Sequence, residues 1–207
     1  MDKKFYSDII EKLNSGKVIA YPTETIWGLG CDGMNAQAVS EVFDIKGREH
    51  TKAVSLLVRD HYTAGELAEI SAKCMQLIQL VWPGPLTLVL PAKSTVLPEI
   101  HGGTGFVGLR CSDHPFVRGL FENYNSPLVT TSANRSGESP ASTMEEARAM
   151  NLGVEVVGWE EKAPGLGKAS TVIKVTAQDQ VSVLRWGAMD QSQLKYLVDT
   201  VHLKLEE

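Results

Sequence analysis

The sequence predicts an α/β fold in which helices pack on one twisted, mixed β-sheet. Short apolar runs of strand length alternate with segments of helical periodicity along the 207 residues, a pattern typical of βαβ units. The last two runs, STVIKV (residues 170–175) and VSVLRW (181–186), are joined by a short polar turn, which predicts an antiparallel hairpin. Since we find no internal repeat, low-complexity tract or linker, we expect residues 1–207 to form a single domain, with the motif-bearing core over about 5–190.

The first helix is predicted over residues 2–14, where apolar residues recur every four positions. A second helix begins after the N-cap Asn35 and ends near Gly47. A third follows the cap Ser71 and stops at the Pro-Gly-Pro sequence of residues 83–85. The strands predicted between and after these helices are residues 17–21, 53–58, 86–91, 106–110, 127–132 and 153–158.

Three further helices are predicted in the second half of the chain. The sequence DHP at 113–115 is typical of a helix start, and Thr143 followed by Glu146 predicts a capping box with a helix to about residue 150. A C-terminal helix is expected over about residues 190–205. The totals are seven to eight strands and five or six helices.

Composition excludes several classes of protein. The chain is 43% hydrophobic and 22% charged, and no apolar run reaches the ~18 residues of a transmembrane helix. The three cysteines, Cys31, Cys74 and Cys111, are far apart and odd in number, which argues against a disulfide framework. A net charge of −5 argues against non-specific coating of nucleic acid. We expect a reduced, cytoplasmic enzyme or binding protein with no membrane association.

Common catalytic motifs do not explain the chain. A formal GxGxxG at residues 103–108 leads into a predicted strand, whereas the dinucleotide fingerprint opens a helix. There is no GxxxxGK[ST], so no Walker loop holds ATP if ATP binds. The histidines and cysteines show no metal-ligand spacing, and Cys111 near His114 is explained more simply by the helix start than by a catalytic thiol.

Polar clusters follow several predicted strands and are harder to dismiss. They are residues 22–25, 46–48, 110, 130–134 and 170–171. Each alone is typical of a turn or a cap, but together they supply hydroxyl, amide and guanidinium groups that orient a small anion in the concave mouth of a sheet. Because no obvious base or covalent nucleophile is among them, the pattern favours phosphoryl or nucleotidyl transfer by positioning and charge neutralisation.

Seven motifs, in order and with plausible spacing, resemble the YrdC-like family, the threonylcarbamoyl-AMP synthases. They are YPTETIWGLGCD (21–32), KGR (46–48), WPGPLTLVLP (82–91), VGLRCSDHP (107–115), TSANRSG (131–137), ASTVIKV (169–175) and LRWG (184–187). The family's hallmark Lys-x-Arg and Ser-x-Asn pairs are present as Lys46/Arg48 and Ser132/Asn134.

The resemblance implies a YrdC-like fold with a basic concave cavity, and a nucleotidyltransferase reaction. L-threonine, bicarbonate (or CO2) and ATP give threonylcarbamoyl-AMP and pyrophosphate, with Mg2+ held mainly by phosphates and no dedicated protein metal ligand. Partner proteins of tRNA modification then transfer the threonylcarbamoyl group to adenosine 37 of tRNA. Contact with tRNA or other double-stranded RNA is also implied as possible.

The resemblance also implies the binding residues. For L-threonine they are Thr23, Arg110, Thr130 and Ser170, with Arg110 clamping the carboxylate. For ATP they are Lys46, Arg48, Lys52, Ser132, Asn134, Ser139 and Arg185, of which Lys46 and Arg48 are also expected to be catalytic. Glu24 is expected to order the basic cluster rather than touch substrate, and Gly28 and Gly30 to let the chain bend away after the first strand.

The chain departs from the family pattern at a few positions. Phe106 stands where many relatives have threonine, Leu57 lies in a stretch where some relatives have a polar residue, and Ala53 replaces a common proline. Longer relatives add a C-terminal domain, which we expect this chain to lack because it ends at Glu207.

Two other functions fit parts of the same pattern. One is the carbamoyl-transfer module of hydrogenase maturation proteins, which belongs to much longer chains with zinc-finger regions. The other is a non-catalytic RNA-binding or ribosome-associated factor, which loss of either hallmark pair would favour. Both pairs are intact, so the synthase is the preferred prediction.

Overall fold

A computed structural model describes residues 3–159 and 166–206. The strands are β1 (Ile19–Tyr21), β2 (Gly28–Gly30), β3 (Ser55–Leu57), β4 (Leu86–Pro91), β5 (Phe106–Arg110), β6 (Leu128–Ser132), β7 (Glu155–Val156), β8 (Thr171–Val175), β9 (Gln180–Arg185) and β10 (Lys204–Leu205). The helices are α1 (Lys3–Asn14), α2 (Ala36–Lys46), α3 (His61–Leu67), α4 (Ala72–Val81), α5 (Pro98–His101), α6 (Pro115–Phe121), α7 (Met144–Ala149) and α8 (Gln191–Thr200).

The strands form one sheet in the order β10-β9-β8-β4-β5-β3-β6-β2-β1-β7. Pairing is mixed: β3–β5 and β4–β8 are parallel, while β4–β5, β3–β6 and β2–β6 are antiparallel. The predicted hairpin is confirmed as the antiparallel pair β8–β9, which carries an irregularity between Val172 and Ile173. The α/β fold with a mixed sheet is therefore confirmed.

Helix α2 shows why local signals were reliable. The side chain of Asn35 accepts a hydrogen bond from the Ala38 N–H, and Gly47 ends the helix in the left-handed conformation at φ 60°. Ser71 and Asp190 cap α4 and α8 in the same way. These contacts join residues close in sequence, so the sequence alone predicts them.

At α7 the predicted capping box is only half formed. The Thr143 hydroxyl accepts a hydrogen bond from the Glu146 N–H, but the Glu146 carboxylate accepts one from the Ser142 N–H instead of the Thr143 N–H. The second half of the motif is therefore displaced by one residue.

Other expectations were wrong. The described part of the chain has ten strands and eight helices, more than predicted, because short elements such as β2 and α3 have weak local signals. The C-terminal helix ends at Thr200, and β10 follows because it pairs with β9. The predicted start of the first helix at Asp2 lies outside the described residues, as does the part of the predicted core at 160–165.

The prediction that Gly28 and Gly30 let the chain bend away after the first strand was also wrong. They do not bend the chain away but form a central strand, buried between β1 and β6. A Cβ atom on Gly30 would overlap the carbonyl oxygen of Val129. Glycine is therefore required because the neighbouring backbone approaches too closely for any side chain.

Alternating residues of the strands pack into two separate cores. In β3, Leu56 joins the larger core with residues of α2, α4 and α8, whereas Leu57 joins a smaller core with residues of α1 and α6. This is the period-two alternation of a sheet covered on both faces. Among the described helices, none has the length and apolar character needed to cross a membrane.

Candidate active site

A cavity of about 470 Å³ brings together most of the predicted site residues. Nine of them line it: Thr23, Lys46, Arg48, Arg110, Thr130, Ser132, Asn134, Ser170 and Arg185. They come from six sequence segments and meet because the strands that carry or precede them lie close together in the sheet order β9-β8-β4-β5-β3-β6-β2-β1. Among the lining residues that the structure describes, four are cationic and none is Asp or Glu, so these walls favour an anionic ligand.

Two predicted residues are not among those that line the cavity. Lys52 is exposed, and its ammonium lies 3.8 Å from the Glu49 carboxylate. Ser139 is also exposed, although its neighbour Pro140 does line the cavity. The structure therefore does not place these two with the others.

Arg110, at the end of β5, is buried and paired with a carboxylate. Its Nη1 donates a hydrogen bond to Glu24, whose other oxygen accepts one from the Ser112 hydroxyl. Glu24 thus holds Arg110, one member of the basic cluster that it was predicted to order. Arg110 lines the cavity, and within the described residues its guanidinium forms a hydrogen bond through Nη1, which leaves other N–H groups of the fork without a partner there.

Thr23 both closes a turn and lines the cavity. Its hydroxyl donates to the Ile26 carbonyl at 2.6 Å and lies 2.8 Å from the Thr25 hydroxyl, which closes a tight turn after β1. The same residue lines the cavity. The turn is therefore also a wall of the site.

Thr87 is a cavity residue that the sequence analysis missed. Its hydroxyl is buried and lies 2.8 Å from the hydroxyl of Ser170, and Arg185 Nη2 donates to the Ser170 carbonyl at 3.0 Å. A threonine within the otherwise apolar run LTLVLP was the available signal, because a buried strand seldom keeps a hydroxyl without a partner. Ser55 and Ser136 also line the cavity and were not predicted.

Lys46 and Arg48 lie at the C-terminal end of α2 and differ in their surroundings. The Lys46 ammonium donates to the carbonyls of Ser132 and Asn134 at 2.6 and 3.0 Å and to Asn134 Oδ1 at 2.9 Å. Burial, and secondarily the charge of Arg48, lowers the pKa of Lys46 to about 8. Arg48 is half-buried and donates from Nη2 to the Ala53 carbonyl at 3.0 Å.

The departures from the family pattern mostly lie away from the cavity. Phe106 does not line it, and the Lys174 ammonium lies 3.8 Å from the centre of its ring. Leu57 is buried in the smaller core. Ala53 alone of these positions is a lining residue.

The donor set suits an anion rather than a metal or a thiol reaction. Over residues 3–159 and 166–206, no group of three or more His, Cys, Asp or Glu is placed to hold a metal ion. Cys111 is buried, and desolvation raises the pKa of its thiol to about 11, so it stays protonated at neutral pH. What remains is a pocket of cations and hydroxyls that can bind and neutralise phosphates and carboxylates.

Comparison with known proteins gives a consistent result. The family model Sua5_yciO_yrdC, described as telomere recombination, matches residues 11–187. A threonylcarbamoyl-AMP synthase of Halorhodospira halophila is 39% identical over 138 residues, which are 66% of this chain and 72% of that protein. The protein of the same name from Bacillus subtilis is 32% identical over 92% of this chain, which spans 56% of it.

A solved structure resembles the whole chain. It is P. abyssi Sua5 complexed with L-threonine, with a TM-score of 0.89 and 27% sequence identity. The match covers 100% of this chain and 60% of that one, so this chain spans less than two thirds of the solved relative.

Proposed function

The chain belongs to the Sua5/YciO/YrdC family, and on this premise we propose that it is a threonylcarbamoyl-AMP synthase. The substrates are L-threonine, bicarbonate or CO2, and ATP. The threonine amine and bicarbonate form a carbamate with loss of water. A carbamate oxygen then bonds to the α-phosphorus of ATP as the bond to pyrophosphate breaks, which makes the enzyme a nucleotidyltransferase.

The observation that carries the proposal is a cavity whose described lining residues include four cations and no carboxylate. The reaction brings a carbamate anion, the threonine carboxylate and a triphosphate into one site. Each pair of like unit charges at about 4 Å costs roughly 4 kcal/mol at an effective dielectric of 20. Fixed cations offset this repulsion, and the proton that the threonine ammonium loses before carbamate formation passes to solvent.

The two substrates occupy different ends of the cavity. Arg110 binds the threonine carboxylate with the part of its fork that Glu24 leaves free, and Thr23, Thr130 and Ser170 surround the rest of the amino acid. Arg48 and Arg185 neutralise the ATP phosphates. Mg2+ would be held mainly by the phosphates of ATP, since none of the described residues that line the cavity is Asp or Glu.

The product is consumed in the modification of adenosine 37 of tRNA. A threonylcarbamoyl-adenylate is a mixed anhydride, so partner proteins of tRNA modification receive it and transfer its acyl group. Direct contact between the basic cavity and tRNA is a secondary part of the proposal.

Pyrophosphate release tests the proposed function. We expect release from ATP, Mg2+ and bicarbonate to require L-threonine, and mass spectrometry to detect threonylcarbamoyl-AMP. Arg110→Ala should abolish the threonine-dependent part, whereas Arg118→Ala, an exposed arginine outside this cavity, should not. ATP binding without threonine-dependent release would reject the synthase, and an RNA gel shift at physiological salt would then favour the RNA-binding alternative.

A further inference from the structure

The ammonium of Lys46 has no hydrogen left for a ligand. An ammonium carries three N–H donors, and the three hydrogen bonds to Ser132 and Asn134 use all of them. The side chain is almost completely enclosed, with 4% of the residue exposed. To reach a phosphate it would have to give up hydrogen bonds to three buried or partly buried acceptors, which is unfavourable.

The acceptors of Lys46 belong to a segment that is itself tightly connected. We call residues 132–138, which follow β6, the wall segment. Within it, the Ser132 hydroxyl donates to Asn134 Oδ1 at 2.6 Å, and Asn134 Nδ2 donates to the Glu138 carbonyl at 2.6 Å. The Ser136 N–H donates to the backbone carbonyl of Lys46 at 2.9 Å. The last residue of α2 therefore holds the wall segment by its side chain and its backbone.

Arg48 differs from Lys46 in how many of its N–H donors are used by hydrogen bonds within the described residues. The hydrogen bond found for its guanidinium goes from Nη2 to the Ala53 carbonyl, and a guanidinium has five N–H donors. It lines the same cavity from two residues further along the chain. Of the two cations of the Lys-x-Arg motif, Arg48 is therefore the one that has N–H donors without a partner among the described residues.

We propose that Lys46 is a positioning residue that fixes the wall segment on the end of α2, while Arg48 contacts the ATP phosphates. Ser136 and Gly137, which line the cavity, are then placed through Lys46 before any ligand binds. The identity of the phosphate ligand rests on the proposed synthase function. The order of the wall segment does not, because it depends only on contacts within the protein.

Hydrogen exchange of the ATP-free protein separates positioning from direct contact. In Lys46→Met we expect the wall-segment amides to exchange at least tenfold faster, and in Arg48→Met we expect them to be unchanged. Asn134→Ala removes the side-chain acceptor Oδ1 of Lys46 and the Nδ2 donor to the Glu138 carbonyl, so it should also speed exchange in the wall segment, which covers the case in which the lysine variant fails to fold. In steady-state assays Lys46→Met should raise KM for ATP more than it lowers kcat, and Lys46→Arg should not restore it.

Two outcomes would overturn the role of Lys46. One is unchanged exchange in both Lys46→Met and Asn134→Ala. The other is full rescue of ATP binding by Lys46→Arg, because a planar fork restores charge but cannot meet three converging acceptors. If the exchange results are as expected and the wild type makes no threonine-dependent pyrophosphate, the synthase proposal fails while the positioning role stands.

Discussion

The two ends of the cavity hold their cations in opposite ways. At the end formed by β5, Arg110 is paired with the Glu24 carboxylate, which a second donor from Ser112 secures. At the end formed by α2, Lys46 meets neutral carbonyl and amide oxygens, and Arg48 meets a backbone carbonyl. The Arg110–Glu24 pair is close to neutral overall, whereas Lys46 and Arg48 keep their positive charge.

This difference matches the charge of the proposed ligands. An amino acid carries one carboxylate and one ammonium, so a balanced pair with free guanidinium donors orients it without holding it too strongly. ATP brings several negative charges, which an unbalanced cationic end can offset. Burying a charge is costly without hydrogen-bonding partners, and each end supplies such partners of a different kind.

The largest expected effect comes from breaking the balanced pair. Arg110→Met should reduce threonine-dependent turnover by at least about 100-fold, which corresponds to roughly 2.7 kcal/mol of transition-state binding. It should also lower the free energy of unfolding by about 3 kcal/mol or more, because the Glu24 carboxylate is left buried without its cation. Steady-state kinetics and urea unfolding measure the two effects.

The matched control is the double variant Arg110→Met/Glu24→Gln. Replacing the unpaired Glu24 carboxylate with an amide should recover most of the lost stability but none of the lost turnover. If the double variant regained turnover, the carboxylate of threonine would not be bound by Arg110.

An intermediate effect is expected from the hydroxyl pair near Arg110. Thr87→Val keeps the shape of the side chain but removes the partner of the Ser170 hydroxyl. Loss of one buried hydrogen bond, about 1 kcal/mol, should raise KM for threonine roughly fivefold and leave KM for ATP unchanged. Thr95→Val, at an exposed threonine, should change neither constant. An equal rise in both constants for Thr87→Val would show that the two ends are not independent.

The smallest expected effect is a pH dependence confined to the ATP end. Since the pKa of Lys46 is lowered to about 8, its third N–H is present below that pH and is lost as pH rises through it. The wall segment should then be held less firmly, and KM for ATP should rise a few-fold between about pH 7.5 and 9. The profile should be flat in Lys46→Met. The same rise in that variant would assign the titration to another group.

Much of the site was predictable because its motifs are local. Thr23 follows β1 directly, Lys46 and Arg48 follow the predicted end of α2, and Ser132 closes β6. Ends of strands and helices carry their own signals in caps, prolines and glycines. Once these signals and the seven motifs were recognised, nine lining residues could be named without coordinates.

The residues that sequence reasoning missed depend on neighbours far along the chain. Thr87 faces Ser170 because β4 pairs with β8 in parallel, with Thr87 opposite Val172. Strand β2 exists because β1 and β6 lie on either side of it, and β10 because it meets β9. Strands this short contain too few residues to show a clear alternation of apolar and polar positions. Pairing with neighbouring strands therefore determines where they form.

Local patterns and motifs were sufficient to predict the α/β class, the main helices and strands, the family and the chemical types gathered at the site. These follow from hydrophobic periodicity and local hydrogen bonding, which act over a few residues. The pairing of Arg110 with the Glu24 carboxylate and the hydrogen bonds from the Lys46 ammonium to carbonyl oxygens are visible only in the three-dimensional structure. In the sequence, both residues are simply cations next to polar clusters. The reason is physical: the state of a buried charge depends on the groups that surround it in space, and strand register and helix packing choose those groups.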